Sequence, residues 1–160
     1  MKKLGFGLMR LPTTDPANAG AVDLEQTKRM VDLFIEKGFT YFDTAWMYCG
    51  FQSEPAVKEA LVSRHPRDSF TLATKLNAGF FDTLEGRDDI FNQQLEKTGA
   101  GYFDYYLLHG IDSGSYQKFE DLDCFRWLMD KKEQGLVRSP GFSFHGDAPL
   151  LDEILTKHPE

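Results

Sequence analysis

Asp43, Tyr48, Lys75 and His109 are the residues whose types and spacing can support chemistry. Asp43 closes the run FTYFD, Lys75 closes SFTLATK, His109 closes YFDYYLLH, and Tyr48 follows Asp43 by five residues. A tyrosine ordinarily titrates near pH 10, too high for easy proton exchange at neutrality. A neighbouring ammonium favours its phenolate, and a carboxylate against that ammonium keeps it charged and in place. Asp43, Lys75 and Tyr48 would form such a relay, with Tyr48 as general acid, while His109 could hydrogen-bond a carbonyl oxygen and orient a substrate. The set can protonate an oxygen as hydride reaches the adjoining carbon. No side chain supplies hydride, so this chemistry calls for a nicotinamide. Taken singly, each residue is as readily a polar group where a strand meets solvent. Lys75 is also a candidate Schiff-base nucleophile, as in a lyase or isomerase.

The elements that must position these groups repeat. Asp43 to Lys75 is 32 residues, Lys75 to His109 is 34, and His109 to Ser143 is 34. FTYFD, SFTLATK, YFDYYLLH and VRSPGFSFH read as strands, being aromatic or β-branched and bounded by turn residues. Helices fill the gaps. Asp23 caps the first, with Gln26 at the capping-box position and Gly38 as its stop; Ser53 and Pro55 open the second. Further helices are expected over Leu84 to Lys97, over Lys118 to Gln134, and from Asp147 to the region of Glu160. Alternating strands and helices call for a parallel sheet whose strand ends share one face, as a doubly wound sheet or a (β/α)8 barrel. The opening LGFGLMRLP stands outside the repeat and reads as a small hairpin. Its glycines do not complete a dinucleotide fingerprint, because Arg10 replaces the last glycine and no strand precedes.

Composition excludes several classes. The 160 residues suffice for one domain, and 41% hydrophobic with 27% charged residues is ordinary for a globular chain. A net charge of −7 without a basic stripe argues against nucleic acid and against an anionic membrane surface. No apolar run reaches membrane-span length, and the N-terminus does not read as a signal peptide. Cys49 and Cys124 lack C-x-x-C spacing, and the histidines lack metal-ligand spacing, so a cytoplasmic protein without a metal is expected.

The motifs FDTAWMY, ATK, DYYLLH and GFSFH, in this order and spacing, resemble the aldo-keto reductase family, in particular a bacterial branch with the GFSFH ending. The resemblance covers nearly the whole chain. It implies a (β/α)8 TIM barrel of which only about four to five units, a half barrel, are present as a single partial domain over 1–160. It implies reduction of small aldehyde or ketone carbonyls with NADPH, NADH being the alternative. The family's catalytic tetrad falls on Asp43, Tyr48, Lys75 and His109; its cofactor contacts fall on Gly7, Leu8, Met9, Asp43 and Ser143. Phe144 and His145 stand where many members carry Asn, and Pro140 interrupts the fourth strand motif. The later elements that would grip the pyrophosphate and adenosine lie beyond the sequence. The rival expectation is therefore an inactive truncated or split half barrel that self-associates through open sheet edges.

Overall fold

Five parallel strands lie side by side in the order in which the chain makes them: β1 Gly5–Gly7, β2 Tyr41–Asp43, β3 Thr71–Asn77, β4 Phe103–Ile111 and β5 Val137–Phe144. The computed structural model describes residues 3–159. A doubly wound sheet reverses its strand order at a switch point. This sheet never does, and it is wound in one direction, as barrels are. Helices α1 Leu24–Glu36, α2 Ser53–Val57, α3 Leu84–Thr98, α4 Tyr116–Asp121, α5 Cys124–Glu133 and α6 Ala148–Lys157 connect or follow the strands. A π-helical turn, Lys58–Val62, prolongs α2.

Strand periodicity separates two faces. Phe42, Leu72, Leu76, Tyr106 and Leu108 turn toward the helices and are fully buried. Each contributes about 1.5–3 kcal/mol by leaving water. The opposite face carries Tyr41, Asp43, Ala73, Lys75, Tyr105, Leu107 and His109, as the register requires: Asp43 pairs with Ala73, Lys75 with Leu107 and Asn77 with His109. Each functional residue thus stands two positions beyond its neighbour's partner. An even offset keeps all three on one face while stepping them along the sheet.

Helix ends follow their local chemistry. Asp23 accepts from the Gln26 N–H at 2.9 Å and Asp147 from the Leu150 N–H at 3.1 Å, satisfying first-turn donors. Gly99 ends α3 in the left-handed conformation, φ 64°. At the opposite end of the sheet from the functional residues, buried Asp104 accepts from the Leu72 N–H, Arg67 and Arg138 at 2.9, 2.7 and 3.0 Å.

Three expectations need correction. The opening segment is not a hairpin: Gly5–Gly7 pairs in parallel with Tyr41–Asp43 and is the first strand of the sheet. A three-residue strand with two glycines carries no readable period. The helix expected over Lys118 to Gln134 is two helices, broken where Asp123 takes φ 50° and Arg87 donates to the Leu122 and Asp123 carbonyls. Strands β3 and β4 run two residues past Lys75 and His109, so these residues sit inside the ladder rather than at its end. The final helix ends at Lys157; Glu160, where its end was anticipated, lies outside the described residues. Among the described residues β1 and β5 are the sheet edges, and no helix is long and apolar enough to cross a membrane.

Candidate active site

Lys75 sits at the centre of the group. It is 5% exposed, and its ammonium donates to Asp43 Oδ1 at 2.6 Å, the Thr44 carbonyl at 2.8 Å and Tyr48 Oη at 3.2 Å. An ammonium has three protons, and all three are engaged. A Schiff-base nucleophile needs a nitrogen lone pair open to a carbonyl, and here Asp43, Thr44 and Tyr48 surround that nitrogen. Asp43 arrives on the last residue of β2 and Lys75 on the fifth of β3, so adjacent strands set their separation. Tyr41, on the same face as Asp43, is pushed up to about 12 by burial and by the Asp43 charge beside it.

Tyr48 comes from the loop after β2, and its position depends on unusual backbone. Cys49, Gly50 and Phe51 all take left-handed conformations, with φ of 52°, 57° and 69°. For Cys49 and Phe51 this costs about 1–2 kcal/mol each. The turn is tied down on the far side. Ser53 Oγ donates to the Leu8 carbonyl at 2.9 Å, the Thr44 and Ser53 hydroxyls lie 2.7 Å apart, and Cys49 Sγ lies 3.4 Å from the Leu8 carbonyl oxygen.

His109 faces Tyr48, ring centroids 5.8 Å apart and nearly perpendicular. Burial first, and then the Lys75 charge, lower its pKa from 6.5 to about 4, so its imidazole is neutral at physiological pH. Its placement involves a bulge. Leu108 pairs with Phe142 but Ile111 with Phe144, so β4 carries one extra residue. Gly110 absorbs it at φ 66°, and Ser143 Oγ accepts the Gly110 N–H at 2.7 Å. Ser143 therefore braces the His109 segment. Its own hydroxyl proton stays available for donation.

The remaining anticipated contacts divide. Gly7 pairs with Asp43, and nothing lies within 4 Å of where its Cβ would stand. Met9 is exposed, whereas the Leu8 side chain is fully buried, so Leu8 can offer a ligand only backbone; its N–H already donates to the Asp43 carbonyl. The space at Gly7 lies open beside the acid–lysine pair, with the Ser143 hydroxyl further along the same sheet. Sequence reasoning did not find the brace between Ser143 and Gly110, nor Thr44 and Ser53. A bulge leaves no periodic signal, and small hydroxyl residues look alike in loops and cores.

The Aldo/keto reductase family profile matches residues 3–160. The chain belongs to the aldo-keto reductases. Relatives include an aldo-keto reductase of Mycolicibacterium vanbaalenii, 34% identical over 85% of this chain and 46% of that protein. Methylglyoxal reductase DkgA of Yersinia pestis is 31% identical over 96% of this chain and 53% of its own length. Among solved structures, the holo form of a Bacillus halodurans aldo-keto reductase superposes with a TM-score of 0.76 at 27% identity, over 96% of this chain and 49% of that one. A Klebsiella pneumoniae aldo-keto reductase in complex with NADPH shares the fold at a TM-score of 0.71 and 22% identity, over 95% of this chain and 48% of that one. The chain spans about half the length of the relatives it matches, and its five-stranded sheet is a partial TIM barrel of this family.

Proposed function

We propose that this aldo-keto reductase chain carries the acid–base half of a carbonyl reductase site that uses NADPH, or NADH, on small aldehydes or ketones. The observation that carries this reading is the Lys75 ammonium, held by Asp43 and donating to the Tyr48 phenol oxygen. Tyr48 gives its proton to the substrate oxygen. Lys75 then faces the phenolate left behind, and its charge, kept in place by Asp43, stabilises that anion. Neutral His109, perpendicular to the Tyr48 ring, hydrogen-bonds the same oxygen and fixes its approach. Gly7, the Leu8 backbone, Met9, Asp43 and Ser143 would hold the nicotinamide end of the cofactor, which when bound supplies the hydride. The test combines NADPH titration by fluorescence with turnover of a generic aldehyde, for wild type and Tyr48→Phe. Loss of kcat by about 10²–10⁴ with cofactor affinity retained is the expected result. Unchanged turnover in Tyr48→Phe removes the proposed acid.

A second reading rests on the sheet edges. β1 and β5 have no neighbour on their outer sides among the described residues, and Met30 and Leu33 are exposed on the helix flanking β1. Such edges favour pairing with another chain. In this reading the 160 residues act only after association, as a half barrel. Light scattering decides it: concentration-dependent mass supports association, and a monodisperse monomer at high concentration opposes it.

A further inference from the structure

A buried polar cluster lies behind Lys75, on the helix side of the sheet. Glu54, in the first turn of α2, is 1% exposed. Its Oε1 accepts from Thr74 Oγ1 at 2.7 Å and from Gln94 Nε2 at 2.6 Å. The same Gln94 amide donates to the Lys75 carbonyl at 3.2 Å, and Gln94 Oε1 accepts from the fully buried Tyr106 hydroxyl at 2.5 Å. Among the described residues Glu54 Oε2 has no hydrogen-bond partner. Burying a carboxyl with one oxygen unserved is costly, and a leucine at this place between helix and sheet would avoid that cost.

We infer that Glu54 is a positioning residue for Lys75, acting through Thr74 and Gln94 to fix the β3 backbone from behind the sheet. Successive strand side chains point to opposite faces. Thr74 therefore reaches back to Glu54 while Lys75 reaches forward to Asp43 and Tyr48. Gln94 holds the Lys75 carbonyl itself, so the cluster grips the lysine's backbone on one face while its ammonium serves Asp43, Thr44 and Tyr48 on the other. Burial raises the Glu54 carboxyl, which suits a hydrogen-bond acceptor more than a buried counter-charge. The neutral isostere glutamine should then serve in its place.

The inference deepens the reductase reading, because it assigns Glu54 a role in holding that reading's lysine, but its test does not require turnover. Acetylation of Lys75 by a water-soluble amine reagent, followed by peptide mass spectrometry, is compared across variants of the 160-residue chain. Glu54→Leu should raise the Lys75 labelling rate about tenfold, as loss of a buried hydrogen-bond anchor allows local opening. Glu54→Gln should stay within about twofold of wild type, because it keeps the Oε1 acceptor. Phe119→Leu, which leaves a cavity beside Phe81 away from the Glu54 cluster, is the control for general loosening and should leave Lys75 near the wild-type rate. An unchanged rate in Glu54→Leu overturns the inference, as does an equal rise in Phe119→Leu. If Glu54→Leu fails to fold, Gln94→Leu takes its place with the same tenfold expectation and the same overturning result. A wild-type chain that reduces no aldehyde ends the reductase reading, yet the labelling comparison still decides the place of Glu54.

Discussion

Asp43 and Lys75 meet at 2.6 Å because β2 pairs Asp43 with Ala73 and puts Lys75 two residues further along the neighbouring strand. The pair is a product of register. A slip of one residue in β3 would turn Lys75 to the helix side and leave Asp43 facing an apolar strand. Asp43→Asn keeps the shape and removes the charge. It should destabilise the chain by about 1–3 kcal/mol, less than for a fully buried pair because Asp43 is partly solvated. A double-mutant cycle with Lys75→Met, read by urea unfolding, should give a coupling of at least about 1 kcal/mol; strict additivity would mean the pair contributes nothing.

His109 should make stability depend on acid. Its folded pKa of about 4 lies below the ordinary 6.5, so between these values the unfolded chain binds the proton more readily than the folded one. Stability is therefore fullest above about pH 6.5 and falls as pH drops toward 4. After allowance for partial exposure, the loss attributable to His109 is about 1–2 kcal/mol. Unfolding curves at pH 7 and pH 5 should diverge less in His109→Gln than in wild type. An equal divergence would place the acid sensitivity elsewhere.

Gly110 is the hinge of the bulge that places His109. Gly110→Val forces a β-branched side chain into a φ of 66°. We expect about 1–3 kcal/mol of destabilisation and, if the chain reduces carbonyls, a rise in KM larger than the fall in kcat, since His109 orients the substrate while Tyr48 carries the proton. Thermal melts and steady-state kinetics check the two parts.

Asp104 provides the contrast. It anchors Leu72, Arg67 and Arg138 at the end of the sheet away from the tetrad. Asp104→Ala leaves the buried Leu72 N–H without its acceptor and takes one acceptor from each of Arg67 and Arg138, and should cost about 2–3 kcal/mol. Differential scanning calorimetry should register this as a lowered Tm, while, if the chain binds NADPH as proposed, the affinity measured well below that temperature stays at the wild-type value.

Legibility in the sequence tracked the range of the interactions. The steps of 32 and 34 residues between ionisable groups exposed the βα repeat, and the caps at Asp23 and Asp147 are visible because a cap is a contact three residues long. Features made by distant residues were not visible. Glu54 sits at a helix start and drew no reading from the sequence; Thr74 and Gln94, 20 and 40 residues away, close over it. Asp88, near the start of α3, likewise accepts from a distant residue, Trp127 Nε1, at 2.7 Å. Phe91 and Trp127 pack with ring centroids 5.6 Å apart, and no sequence pattern reveals which polar group a core aromatic will serve.

The left-handed run Cys49–Gly50–Phe51 sets stability against reactivity at one point in the chain. Phe51→Gly would relieve an unfavourable φ and at the same time release the loop that presents Tyr48. A screen for heat resistance alone should therefore enrich glycine at position 51, and a screen for turnover should purge it. A position three residues after the proposed acid is thus where robustness and chemistry would pull an evolving population apart.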